Sequence, residues 1–172
     1  IAPYVASLTT INTPHRGCLF AACLLTKISP KIKDRVANAY NQTLKKLGDT
    51  APDFMTAVTQ LTATYCADFN QRTSVPEGVY CQSVGSVLPK ARGGKFPLNF
   101  SHHIVSYYDG ENDGLAGERS FPWGERYICL RPKSNRGISH GDMIDLNRQN
   151  FEGFDVREFY VELVSDLKNR GL

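Results

Sequence analysis

The sequence predicts an α/β fold in which parallel strands alternate with helices. Three observations carry that prediction. Tyr4 to Asn12 is β-branched and mostly apolar and stops at Thr13-Pro14, the pattern of a strand buried in a parallel sheet. Two further strand-like runs follow, Val79 to Val87 and Tyr127 to Leu130. Between and after them lie stretches with helical apolar spacing, and this alternation is the α/β signature.

The elements can be justified in order. Ser29-Pro30 opens a helix, because proline suits the first helical position and serine can cap it. Ile32, Val36, Tyr40, Leu44 and Leu47 then form one stripe, and Gly48 suits the stop. Pro52 opens a second helix with Phe54, Val58, Leu61, Tyr65 and Phe69 on one face. Pro76-Glu77-Gly78 is a turn into the second strand, and Pro89 to Pro97 is a loop rich in Gly and Pro. Ile104 to Tyr108 is either extended or helical. Arg131 to Ser139 is a loop, and Asp142 to Leu146 starts a short helix. Asp155 and Glu158 make a capping-box pair for a last helix that buries Val156, Phe159, Tyr160, Leu163 and Leu167. The two amphipathic helices between the first strands exceed what a crossover needs, so they could cap a cleft.

Composition narrows the classes. The 172 residues are 41 % hydrophobic and 22 % charged, which is globular and sufficient for one core. The net charge of +3 is small and its basic residues are dispersed apart from pairs such as Lys45-Lys46, so no nucleic-acid partner is expected. No apolar run reaches membrane-spanning length; the longest is Cys18 to Leu25. Ile1 is not an initiator methionine and a strand follows almost at once, so the chain is expected to begin inside a larger fold. Five cysteines (Cys18, Cys23, Cys66, Cys81, Cys129) without a CxxC argue against a metal cluster and leave one disulfide or buried free thiols.

Chemistry-bearing residues cluster in three loops. Asp109-Gly-Glu-Asn-Asp-Gly-Leu-Ala-Gly117 packs three carboxylates and glycines into a tight turn. His140 sits in Gly137-Ile-Ser-His-Gly-Asp142, after a strand and before a short helix. A catalytic histidine needs a carboxylate to hold its tautomer, and Asp113 precedes it by 27 residues with one strand between. In an α/β hydrolase the chain order is serine, acid, histidine, and the last two lie on successive loops at one sheet edge. His15, in Thr13-Pro-His-Arg-Gly17, lies at a strand end and either borders the site or holds a loop. His102-His103 would point opposite ways on a strand, which disfavours a shared metal.

One match misleads. Gly137-Ile-Ser139-His-Gly141 fits the G-x-S-x-G expression of a nucleophile elbow. An elbow needs a strand directly before it, a helix directly after, and a later histidine. A loop precedes this one and no histidine follows His140, so the chain is expected to hold acid and base without the nucleophile.

Taken together, these motifs resemble the bacterial triacylglycerol lipases of the α/β-hydrolase superfamily. Val5 to Gly17 resembles that family's sixth strand and its exit, and Leu61-Thr to Phe69-Asn70 one of its helices. Asn112-Asp-Gly-Leu115 resembles the acid loop, Ser139-His-Gly-Asp142 the histidine loop, and Tyr160 to Leu172 the closing helix. The resemblance implies that residues 1–172 are the C-terminal portion of a single α/β-hydrolase domain. It places a lid at 18–48, with Leu19, Phe20, Leu24 and Leu25 as candidate substrate contacts. It implies Asp113 as triad acid and His140 as general base, the serine lying in an N-terminal half upstream of Ile1. The expected substrate is an acylglycerol or related ester, met at a lipid–water interface, by a secreted enzyme. No cofactor is required. A structural calcium would involve Asp142, although Gly93-Gly94 offers no acidic partner, and Cys18 stands where the family has serine.

Asp109 and Glu111 are rival acids. Two alternatives also stay open: a non-catalytic fragment or binding module, and the same fold as an acyltransferase, polyester depolymerase or thioesterase.

Overall fold

The computed structural model describes residues 4–46, 48–75, 77–94, 98–131, 136–146 and 148–172. Leu47 of the helical stripe, Pro76 of the turn, the end of the 89–97 loop and the middle of the 131–139 loop lie outside these residues.

The three strand runs form β1 (Ser7–Ile11), β2 (Tyr80–Ser86) and β3 (Arg126–Leu130), ordered β1-β2-β3 with both pairs parallel. The register sets Ile11 beside Val84 and Val84 beside Ile128, so three branched side chains share one face. β2 is buried along nearly all its length, as expected of the middle strand. β1 is less buried than its composition predicts, and Leu8 is 45 % exposed. Among the described residues β1 lies at the sheet edge with one neighbour, so its outer flank has no cover.

Among the described residues four helices, not two, join β1 to β2: α1 (Leu19–Lys27), α2 (Pro30–Lys46), α3 (Phe54–Gln60) and α4 (Ala63–Arg72). The helix predicted after Pro52 breaks because Thr62 caps a new one, its hydroxyl accepting from Tyr65 N. Asp53 likewise caps α3 by accepting from Thr56 N. α1 and α3 share a small core of Cys18, Ala21, Leu24 and Val58, flanked by Phe20, Leu25, Ile28 and Phe54. The α2 stripe is mostly outside that core. Ile32 and Tyr40 are exposed, and Ala37 is the residue that α2 buries.

The segment of ambiguous type before the acid-rich loop is helical, α5 (Leu98–Asp109). The histidine pair therefore projects from a helix, not a strand. His102 Nε2 donates to Leu88 O at 2.6 Å, while His103 is exposed. The last helix, α6 (Val156–Asn169), starts where Asp155 accepts from Arg157 N and Glu158 N. It covers one sheet face through a core of Val84, Ile138, Met143 and Leu163, flanked by Ile11, Ile128, Leu130 and Phe159. Tyr160, expected inside, is 38 % exposed, with its hydroxyl donating to the carbonyl of buried Met143 at 3.0 Å. All five cysteines are free thiols. Among the described residues no helix is long and apolar enough to cross a membrane.

Candidate active site

The site forms where the chain leaves the carboxyl ends of β1 and β2. Two loops rest on the residues just past β2. Leu88 N donates to Asn112 O at 2.8 Å, which fixes the acid-rich loop. Ile138 N donates to Val87 O at 2.9 Å, which fixes the histidine loop. The loops also bond to each other directly, His140 N donating to Asp113 O at 2.8 Å. Gly137 enters the histidine loop with φ +79, and a Cβ there would sit 2.2 Å from Pro89 Cδ. Glycine is needed on both counts.

Asp113 is fully buried. Its Oδ1 accepts from Leu115 N and Ala116 N, both at 2.9 Å, a turn that needs Gly114 at φ +98. Its Oδ2 accepts from Asn12 Nδ2 at 2.8 Å and from His140 Nδ1 at 2.7 Å. Four donors thus converge on one buried carboxylate. The anion in turn requires the proton of neutral His140 to sit on Nδ1, which leaves Nε2 as the basic nitrogen. Among the described residues no hydrogen bond engages Nε2, and the side chain is 28 % exposed. Burial alone would lower the imidazole pKa. The hydrogen bond and charge of Asp113 outweigh it, so His140 lies above its ordinary value.

The rival acids serve elsewhere. Asp109 accepts from Leu19 N and Phe20 N, capping α1 from the end of α5. Glu111 forms a two-point pair with Arg131 at 2.8 Å on the surface, which lowers its carboxyl pKa. Ser139 of the misleading motif is buried, and its hydroxyl donates to Asp142 Oδ2 at 2.7 Å. A 3-10 turn (Asp142–Ile144), not an α-helix, follows it. His15 lies apart from the pair. Its Nε2 meets Thr10 Oγ1 at 2.8 Å, its ring stacks on Trp123 at 4.8 Å, and burial lowers its pKa. Those contacts make it a brace for the β1 exit.

Asp142 does not fit a calcium ion. Arg136 grips both its oxygens, Nη1 to Oδ2 at 2.9 Å and Nη2 to Oδ1 at 3.0 Å. Ser139 N and Oγ donate to Oδ2 as well. The guanidinium also lies 3.7 Å from the Phe151 ring centroid. Gly93, in the segment that offers Asp142 no acidic partner, packs so closely that a Cβ would overlap Arg136 O. The protein's own cation thus occupies the place. Among the described residues no group of three or more His, Cys, Asp or Glu side chains could hold a metal ion.

Of the candidate substrate contacts, Leu24 is buried in the core shared with α3, and Phe20 and Leu25 pack against that core. Leu19 is 47 % exposed at the start of α1, beside the acid-rich loop, where Cys18 Sγ approaches Leu115 O at 3.6 Å. Sequence reasoning missed Asn12 and Arg136, the two side chains that hold Asp113 and Asp142. The cue for Asn12 was faint: Asn just past a strand tolerates a left-handed backbone.

No protein-family model matches the chain, and no curated protein sequence matches it. Among solved structures, the chain is similar to the crystal structure of a metagenomic carboxyl esterase. The TM-score is 0.52 at 14 % identity, over 81 % of this chain and 37 % of that one. The class is therefore an α/β fold of the kind found in part of that esterase. The chain spans a little over a third of the esterase's length.

Proposed function

We propose that this chain is the acid-and-base portion of a carboxylic ester hydrolase. One observation carries the reading: His140 Nδ1 lies 2.7 Å from the buried Asp113 Oδ2, with Nε2 left to act. The order of acid, strand and histidine matches an α/β hydrolase, and the likeness to part of a carboxyl esterase supports the same class. In the proposed mechanism a serine outside these 172 residues attacks the ester carbonyl. His140 Nε2 takes the serine proton and passes it to the departing alcohol, while Asp113 keeps the ring oriented and stabilises the imidazolium. Residues 18–48 act as a lid, with the exposed Leu19 facing an acyl chain and Leu24 holding α1 down on α3. The substrate class is an acylglycerol or related ester.

The test is p-nitrophenyl ester hydrolysis by the 172-residue chain and by a protein that includes the sequence encoded upstream. The longer protein should turn over and the chain alone should not. His140→Ala should cost about 10⁴–10⁶ in turnover. Longer acyl chains and an emulsion should raise the rate if the lid reading holds. A larger loss from Glu111→Gln than from Asp113→Asn would overturn the acid assignment, and activity indifferent to His140 would overturn the function.

A further inference from the structure

We propose that Asn12 is a positioning residue for the Asp113 carboxylate, aiming it at His140 and sharing the oxygen that accepts from the imidazole. This rests on the acid–base reading of Asp113 and His140 above.

Asn12 stands one residue past β1 and is 2 % exposed. Its two amide protons are both committed. One goes to Ser86 Oγ at 2.7 Å, at the end of β2, and the other to Asp113 Oδ2 at 2.8 Å. Its Oδ1 is buried and has no partner among the described residues. The orientation is forced, because a flipped amide would set Oδ1 against a carboxylate oxygen.

Two costs are therefore visible at one residue. The backbone is left-handed, with φ 48, which a residue with a Cβ adopts at a penalty. A buried acceptor also goes unmet, and such exceptions in a folded core call for a reason. Glycine would relieve both. Asparagine supplies what glycine lacks, a neutral donor on the same oxygen that accepts the hydrogen bond of His140 Nδ1. Both strands anchor it, so Oδ2 is held from β1 and β2 while Oδ1 is held by its own loop.

The consequence is electrostatic as well as geometric. A second donor on Oδ2 competes with His140 Nδ1 for the charge on that oxygen. The shared proton then stays on His140 Nδ1. Without Asn12, Asp113 would pull harder and stabilise the imidazolium more. The other charged pair near the histidine loop, Arg136 with Asp142, would be unchanged.

The experiment is an NMR titration of the His140 ring in the full chain for wild type, Asn12→Gly, Asn12→Asp and Asn12→Ser. Asn12→Gly keeps the left-handed backbone accessible and deletes the donor. His140 pKa should rise by about half a unit or more, and by more in Asn12→Asp, which adds a second carboxylate. Asn12→Ser, with a hydroxyl donor, should return part of the shift. A role limited to holding the β1 exit would lower Tm and leave the His140 titration as in wild type, which would overturn the proposal. Should the variants not fold, exchange of the wild-type Asn12 side-chain amide decides. Slow exchange is expected, and exchange at the rate of an exposed amide contradicts it. Asp113→Asn separates the failures. If it lowers His140 pKa while Asn12→Gly does nothing, only Asn12 loses its role. If it too changes nothing, the acid–base pair itself fails.

Discussion

Asp113→Asn perturbs the site most sharply, because every oxygen lone pair of that buried carboxylate is engaged. The amide oxygen can still accept from Leu115 N and Ala116 N, though as a neutral partner. The new amide nitrogen would face two donors, Asn12 Nδ2 and His140 Nδ1. His140 can escape by moving its proton to Nε2 and accepting at Nδ1. Asn12 could turn its amide over to present Oδ1 to the new donor, but both its buried amide protons would then lose their acceptors. A hydrogen bond to a charged group contributes about 1.5–3 kcal/mol, and a buried donor left facing a donor costs about 1–3 kcal/mol. The variant should therefore lose about 2.5–6 kcal/mol, read by urea unfolding near pH 7. The pH dependence gives a second, signed readout. In wild type the His140 pKa is raised in the folded state. Its contribution is fully present below the unfolded value and is lost as pH rises through the folded value. In Asp113→Asn burial is the cause that remains, so the folded pKa should drop below the ordinary 6.5. Stability should then fall on acidification through that range instead of rising. The escape tautomer also protonates the nitrogen that must act as base, which should cost about 10⁴ in turnover. A loss under about 1 kcal/mol with an unchanged His140 titration would refute the reasoning, since a buried four-donor carboxylate cannot be replaced that cheaply.

Three further outcomes follow from the same geometry. Arg136→Met should destabilise by about 3–5 kcal/mol, because Asp142, with its side chain 5 % exposed, would be left a buried unpaired charge; calcium or a chelator should leave the wild-type Tm unmoved, and a calcium-dependent rise would overturn the view that Arg136 fills that place. Gly137→Ala should cost at least about 2 kcal/mol in urea unfolding and depress turnover, because the added methyl meets the Pro89 ring and the Val87 carbonyl at the entry to the histidine loop. Burial raises the Cys18 thiol to about 11, so native Cys18 should resist a thiol reagent at pH 8 until urea opens the α1–α3 core.

Some of this was legible in the residues alone and some was not. Asp113 and His140 stood out because each lies in a glycine-bearing loop with one strand between them; Asp109 and Glu111 share that chain order, and the Gly-Leu after Asp113, which resembles the lipase acid loop, is what favoured it. Asn12 was silent, because its meaning lies in a contact 101 residues away and in a backbone angle. Arg136 was equally silent. It reads as one more loop arginine until the loop folds back and brings Asp142 within reach of both its nitrogens. α5 was ambiguous because Ile104-Val105 and Tyr107-Tyr108 favour strands locally, whereas packing of Val105 and of His102 on Leu88 O selects the helix. The break between α3 and α4 was hidden because Leu61, Tyr65 and Phe69 keep helical spacing across it, and only the Thr62 cap reveals it.

In the proposed mechanism one nitrogen, His140 Nε2, activates a serine outside residues 1–172. A fluorophosphonate that tags activated serines, applied to the longer protein and followed by peptide mapping, measures that directly. The account predicts one tagged serine outside residues 1–172, with tagging lost in His140→Ala. A tag on Ser139 or any other serine of this chain, or labelling that persists without His140, would contradict it.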